Sequence, residues 1–130
     1  MTQEPRWITK HGLLRLVEIS IANDGGIWGV RDEGLLDSAL ARPANRHLYE
    51  GLTDLSALAA TYLAAVAGNH PFLDGNKRAG FIAMGLFLAK NGLIFTADET
   101  DAALKVFAFA AGEIGVEDLT VWIAGNVEPA

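Results

Sequence analysis

Two strongly apolar segments, joined by one short polar segment, most constrain the fold of this chain. Residues 55–66 and 77–89 consist mainly of alanine, leucine and other apolar residues. Asp54 precedes the first segment and Asn91-Gly92 follows the second, and these residue types are common at helix starts and helix ends, respectively. The pattern predicts two buried helices that are connected by the polar residues 69–78.

Apolar periodicity predicts further helices on both sides of this pair. Before the pair, a helix after Thr9 ends at Asp24-Gly25-Gly26, and a short helix that Asp32 caps stops before Pro43. After the pair, a helix begins with the capping-box spacing of Thr96 and Glu99 and runs to about Ala111. A last helix covers Val116–Ala124. Leu93-Ile94-Phe95 is predicted as a short extended segment. The predicted fold class is therefore all-α, a six-helix bundle formed by residues 1–130 as a single domain.

Composition and charge exclude several classes of function. The chain has no cysteine, which excludes disulfides and thiolate metal sites, and its net charge is −6. Residues 98–130 carry seven acidic groups and one basic group, and no basic stripe suited to direct nucleic-acid binding is present. The N-terminus lacks the pattern of a signal peptide, and the longest uncharged stretch, residues 55–73, is too polar for a membrane span. We expect a soluble, cytoplasmic protein.

The polar segment between the two central helices carries the residues of a phosphate-handling site. A helix that begins near Gly75 presents free N–H groups to an anion, and Lys77 and Arg78 add positive charge at the same point. Asp74 supplies a hard oxygen ligand suited to magnesium. An imidazole exchanges its proton near neutral pH, so His70 is a candidate general base toward an attacking hydroxyl. The combination suits phosphoryl or nucleotidyl transfer.

Each of these residues also has a purely structural interpretation. Histidine next to proline often ends a helix, and Asp-Gly is a common turn. The positive charges decide between the two interpretations, because Lys77 and Arg78 stand where a helix N-terminus favours acidic residues. That position destabilises the helix unless an anion binds. We therefore favour the functional interpretation.

Residues 70–78, His-Pro-Phe-Leu-Asp-Gly-Asn-Lys-Arg, resemble the motif of the Fic superfamily in the form found in death-on-curing (Doc) toxins. Gly25-Gly26, Gly29 and residues 31–43 resemble the N-terminal signature of the same family, and the similarity extends over roughly residues 8 to 125. The resemblance implies that His70 is the general base and that Asp74 holds magnesium. It also implies that Phe72 anchors the loop in the core.

The same resemblance implies that the backbone of Gly75 and the side chains of Asn76, Lys77 and Arg78 bind the phosphates of ATP. The residues by themselves assign no role to Asn76 beyond that of a polar loop residue. The implied protein is a toxin that a Phd-like antitoxin neutralises. Its implied target is a threonine of translation elongation factor Tu, so that phosphorylation blocks translation.

Two departures from the wider superfamily bear on the type of reaction. Fic enzymes that transfer AMP have glycine where this chain has Lys77 and a second arginine where it has Phe81. Both differences match the Doc branch and favour phosphate transfer. AMP transfer by the same loop is the first alternative, and a catalytically silent module that binds a nucleotide or an antitoxin is the second.

Overall fold

A computed structural model describes residues 4–130, and within this range the chain forms six helices and one two-stranded sheet. The helices are α1 (Lys10–Asp24), α2 (Glu33–Glu50), α3 (Leu55–Asn69), α4 (Asn76–Lys90), α5 (Glu99–Ala110) and α6 (Val116–Ala124), and the strands are β1 (Leu93–Phe95) and β2 (Val127–Pro129). The predicted all-α class is confirmed. No helix of the described residues is long and apolar enough to cross a membrane.

Helix α3 is the centre of the bundle. Eleven of its 15 residues are buried, and it packs against α2, α4 and α6. The contact with α4 is close, because a Cβ atom added to Gly80 would lie 2.8 Å from the carbonyl oxygen of Leu63 and 3.2 Å from the Cβ of Ala67. Small residues at this contact hold the end of α3 and the start of α4 side by side, and so define the position of the loop that joins them.

Side-chain caps begin the first three helices as the sequence predicts. Thr9, Asp32 and Asp54 have extended backbone, and the side chain of each accepts a hydrogen bond from a backbone N–H in the first turn of its helix. These caps satisfy donors that have no partner inside the helix. The starts of α1, α2 and α3 are therefore encoded locally.

The prediction that the second helix stops before Pro43 is wrong. Helix α2 continues through Pro43 to Glu50, where Gly51 ends it in a left-handed conformation with φ of 69°. Pro43 cannot donate the backbone hydrogen bond of its turn and is normally unfavourable inside a helix. Here its ring is buried, and the packing of α2 against α3 outweighs the local cost.

One smaller prediction also needs correction, and one strand pairing was not predicted. The side chain that caps α5 belongs to Asp98, which accepts a hydrogen bond of 2.7 Å from the N–H of Asp101, so the Thr96–Glu99 spacing is not the cap. The extended segment at β1 is confirmed, but it pairs antiparallel with β2 near the chain end, which was not predicted. The sequence of β2 is Val-Glu-Pro, which contains no apolar run of the kind that marks β1.

Candidate active site

The polar segment, which we call the motif loop (residues 69–78), closes α3 and opens α4. His70 is the C-cap of α3 and has a left-handed backbone with φ of 51° and ψ of 54°. Among the described residues it is the only non-glycine residue with positive φ. Glycine normally occupies this position, and the left-handed conformation costs other residues roughly 1–2 kcal/mol. The surroundings must therefore hold the backbone of His70 in place.

The loop between α1 and α2 provides this support. We call residues 25–32 the strap, because they run alongside the motif loop. A backbone bridge joins Val30 to Phe72, and the N–H of Leu73 donates to the carbonyl oxygen of Gly29 at 3.0 Å. The N–H of Arg31 donates to the carbonyl oxygen of Pro71 at 2.7 Å. The strap and the motif loop thus form one hydrogen-bonded unit.

The side chain of Arg31 reaches the end of α3 directly. Its Nε–H donates to the carbonyl oxygen of His70 at 2.8 Å, and Nη2 donates to the carbonyl oxygen of Asn69 at 3.3 Å. Carbonyl oxygens at a helix C-terminus lack partners within the helix and attract a positive charge. Sequence reasoning missed this contact. Arg31 lies in the run that resembles the family signature, but 39 positions separate it from His70 and no local pattern connects them.

Phe72 anchors the motif loop in the core, as predicted. Its side chain is 1% exposed, and its ring stacks on Trp28 of the strap with 6.0 Å between the ring centroids. His70, Leu73 and Asp74 of the same loop are exposed, so a ligand can reach them.

Asn76 is engaged within the loop. Its Oδ1 accepts from the N–H of Phe72 at 2.9 Å, and its Nδ2 donates to the carbonyl oxygen of the same residue at 3.0 Å. The side-chain amide therefore braces the turn between His70 and α4. The structure gives Asn76 this bracing role, and its assignment as a phosphate ligand stays a prediction.

The start of α4 has the features of an anion site. Gly75 is the N-cap with φ of 72°, and no side chain caps the helix. The hydrogen bond from Ala79 N–H to the carbonyl oxygen of Gly75, at 2.8 Å, is the first of the helix. The N–H groups of Asn76, Lys77 and Arg78 come before it. Uncapped amides at a positive helix end bind phosphate readily.

Both cations predicted for this site have exposed side chains. Lys77 makes no ion pair with a described residue, and its Nζ lies 5.3 Å from the centroid of the Phe107 ring. Arg78 donates to Ser20 Oγ at 3.3 Å and lies 3.7 Å from Asp24 Oδ2. The side chains of Arg78 and Asp24 are 56% and 60% exposed, so this ion pair is weak and an anion can compete for the guanidinium group.

Asp74 is tied to the strap by one of its two carboxylate oxygens. Oδ2 accepts from the N–H of Ile27 at 3.1 Å, and the residue is exposed. Within residues 4–130 no group of three or more histidine, cysteine or acidic residues could hold a metal ion. Magnesium commonly uses one or two carboxylates together with substrate phosphates and water. The donors present therefore suit a magnesium ion that arrives with a nucleotide.

Two grooves meet at Lys77 and Phe107. The α4–α5 groove has a volume of about 300 Å³ and is lined by Lys77, Arg78, Phe81, Glu99, Ala102, Ala103, Val106 and Phe107. The α3–α5 groove has a volume of about 520 Å³ and is lined by Ala67, Gly68, His70, Lys77, Phe107, Phe109, Ala110 and Ala111. His70 thus lies in one groove and Arg78 in the other, with the Lys77 ammonium at the boundary. Asp74 lines neither groove.

Comparison with known proteins identifies the family. The model of the Fic/DOC family matches residues 7–88, a range that contains the strap and the motif loop. The protein kinase Doc of Escherichia phage P1 is 39% identical over 115 residues, which cover 88% of this chain and 90% of that protein. The toxin Doc of Mycolicibacterium smegmatis is 44% identical over 75 residues, 57% of this chain and 58% of that protein. The chain therefore belongs to the Fic/DOC family.

These relatives confirm the resemblance to Doc toxins that the motif loop predicts. They also confirm the predicted enzyme class, a protein-kinase-type phosphotransferase. The roles of individual site residues stay predictions. The structure adds the strap as the element that supports the motif loop.

Proposed function

We propose that this protein is the toxin of a type II toxin–antitoxin system and transfers the γ-phosphate of ATP to a protein hydroxyl. The target is a threonine of translation elongation factor Tu, whose phosphorylation stops translation in the cytoplasm. One observation carries the proposal: the uncapped start of α4, with exposed Lys77 and Arg78, adjoins the groove that contains His70. A phosphate site and a general base thus share one surface.

The two grooves suit the two substrates of a phosphate transfer. The lining of the α4–α5 groove includes two cations, Lys77 and Arg78, one acidic residue, Glu99, and apolar residues such as Phe81 and Val106. The cations suit the phosphates of a nucleotide, and the apolar residues suit its base. A second arginine at the position of Phe81 would add a phosphate ligand there, and its absence favours a terminal phosphate at Lys77. The α3–α5 groove leaves His70 accessible to a polypeptide hydroxyl.

The chain's residues have distinct roles in the proposed reaction. His70 accepts the proton of the hydroxyl as the oxygen bonds to the γ-phosphorus, and the bond to the ADP leaving group breaks. Lys77, Arg78 and the first amides of α4 stabilise the negative charge on the phosphates. Asp74 would hold magnesium, which neutralises phosphate charge when it is bound. The strap keeps His70 in its left-handed conformation.

Isotope labelling tests the reaction type. Incubation of elongation factor Tu with the protein and ATP labelled at the γ-phosphate should label the factor, and His70→Ala should abolish the label. Label that arrives only from α-labelled ATP would instead establish AMP transfer. Toxicity that persists in both His70→Ala and Asp74→Ala would indicate a silent binding module.

An asparagine substitution separates the metal role of Asp74 from its role in the loop. Asn can still accept the hydrogen bond from Ile27 N–H but lacks the negative charge that magnesium prefers. Asp74→Asn should therefore retain the wild-type melting temperature and lose about a hundredfold in rate, since metal stabilisation of a transferring phosphate is worth several kcal/mol. A rate equal to that of the wild type over a magnesium titration would refute the assignment.

The proposed partner that restrains the toxin is a Phd-like antitoxin. Expression of the chain alone should arrest growth, and coexpression with the antitoxin from the same operon should restore it. Growth that is unaffected by the chain alone, in a strain where the purified protein phosphorylates elongation factor Tu, would argue against a toxin.

A further inference from the structure

A large aromatic side chain, Phe107 of α5, lies beside the proposed phosphate site with most of its surface in solvent. Phe107 is 65% exposed, and it belongs neither to the core nor to the apolar residues that pack against the core. Burial of apolar area therefore gives little reason for phenylalanine at this position. Its ring contacts Lys77 instead: Nζ lies 5.3 Å from the ring centroid, within the roughly 6 Å over which a cation and an aromatic face attract each other.

We propose that Phe107 is a positioning residue, whose ring holds the Lys77 ammonium at the boundary of the two grooves, where the terminal phosphate of ATP meets the acceptor hydroxyl. The proposal rests on the kinase function proposed above and adds a residue that lies outside the motif loop. Its basis is the contact with Lys77, together with the place of both residues in the lining of both grooves.

Lys77 and Phe107 are the two residues that the grooves share. The lining of the α4–α5 groove includes Arg78 and that of the α3–α5 groove includes His70, while both linings include Lys77 and Phe107. In the proposed reaction the phosphate passes from the nucleotide in one groove to the hydroxyl in the other. An ammonium held at the boundary therefore lies where negative charge is spread over the transferred group.

A neutral ring suits this task better than a carboxylate. A lysine side chain is long and flexible, so an ammonium without a partner would sample many positions. A carboxylate would restrict the ammonium, but it would also repel the phosphates and compete with them. An aromatic face attracts the ammonium without a net charge, so the positive charge stays available to a phosphate. Among residues 4–130 Lys77 indeed makes no ion pair, although Glu99 lines the same α4–α5 groove.

Stepwise fluorination of the ring tests the contact. Fluorine withdraws negative charge from the aromatic face while the shape of the side chain changes little, so phenylalanine with one, two and three fluorine atoms at this position weakens the attraction in steps. Phe107→Leu removes the ring, and Phe107→Trp supplies the stronger aromatic partner. Leu104→Ala is the matched control, because Leu104 lies one turn earlier on α5, is also 65% exposed and lines neither groove.

The probe reaction is the labelling of elongation factor Tu. The kcat/KM for ATP should fall with each added fluorine atom and should be about two- to fivefold below the wild type in Phe107→Leu, the range that an exposed cation–π contact supports. Phe107→Trp and Leu104→Ala should retain the wild-type value. The KM for elongation factor Tu should stay constant through the fluorinated series, because the shape of the acceptor groove is unchanged.

The contact itself can be measured by NMR without any reaction. The ε-methylene protons of Lys77 lie close to the ring face, so their signals should be shifted upfield in the wild type and should return to ordinary values in Phe107→Leu. The absence of an upfield shift in the wild type would overturn the proposal.

Two kinetic results would also overturn it. One is a kcat/KM for ATP that is the same in Phe107→Leu and throughout the fluorinated series as in the wild type. The other is a kcat/KM that rises with fluorination, which would indicate that the ring stacks on the nucleotide base. Wild-type protein that labels no factor would refute the proposed function instead, whereas the Lys77 signals do not depend on that reaction.

Discussion

Replacement of Arg31 by alanine is the sharpest test of how the strap contributes to the site. The substitution removes the Nε bond of 2.8 Å to the His70 carbonyl and the Nη2 bond of 3.3 Å to the Asn69 carbonyl. The backbone bond from Arg31 N–H to Pro71, at 2.7 Å, does not depend on the side chain. The strap therefore stays attached, while the C-terminal end of α3 loses its cation.

The magnitude follows from the geometry of the two bonds. Hydrogen bonds with a charged donor contribute roughly 1.5–3 kcal/mol each, and exposure and the length of the second bond place the sum here at about 1.5–2 kcal/mol. The left-handed conformation of His70 costs roughly 1–2 kcal/mol, which the two hydrogen bonds from Arg31 offset. Without Arg31 the backbone is free to relax, and the competent position of the imidazole should become about ten to thirty times less populated.

Steady-state kinetics measure the effect. Arg31→Ala should lower kcat about ten- to thirtyfold and leave the KM for ATP unchanged, because the phosphate site proposed at the start of α4 is intact. Arg31→Lys restores the charge but not the paired donors, so its kcat should lie between those of the wild type and the alanine variant. Added guanidinium ion at millimolar concentration should partly restore the alanine variant, whereas Arg15→Ala should behave as the wild type.

Two results would refute this reasoning. A kcat of Arg31→Ala within twofold of the wild type would show that the strap backbone alone positions His70. A reduced kcat that neither lysine nor guanidinium restores, accompanied by a lower melting temperature, would indicate that Arg31 only stabilises the fold.

Three further substitutions have defined outcomes. His70→Gly should have a higher melting temperature than His70→Ala, because glycine adopts φ of 51° with less strain. Both variants should lack phosphate transfer. Equal melting temperatures would argue against strain at this residue. Asn76→Ala should destabilise the protein to urea by roughly 1–3 kcal/mol, since both bonds to Phe72 are lost; an unchanged unfolding midpoint would show that the brace is dispensable. Burial raises the pKa of Tyr62 to about 12, above the value of about 10 expected in the unfolded chain. The free energy of unfolding should therefore fall by roughly 2–3 kcal/mol between about pH 10 and pH 12. Tyr62→Phe should abolish this fall, and a fall that persists in the variant would assign it to other groups.

The local elements of the site could be predicted because their determinants are close in sequence. His70, Asp74, Gly75, Lys77 and Arg78 lie within nine residues, at the turn from α3 into α4. The caps at Thr9, Asp32 and Asp54 act on the turn that follows each of them. Short-range hydrogen bonding and helix geometry explain these features, so a sequence pattern is sufficient to find them.

Long-range packing decided the remaining features. Pro43 lies inside α2 because packing of that helix outweighs a local preference, and β1 pairs with β2, which follows two helices later in the chain. The bonds of Arg31 to the end of α3 join residues 38 and 39 positions apart, so they depend on how the chain closes around the loop. The sequence by itself determined which chemical groups stand at the junction of α3 and α4. Only the tertiary structure decided how His70 is held and which grooves reach it, because contacts between residues distant in sequence leave no local pattern.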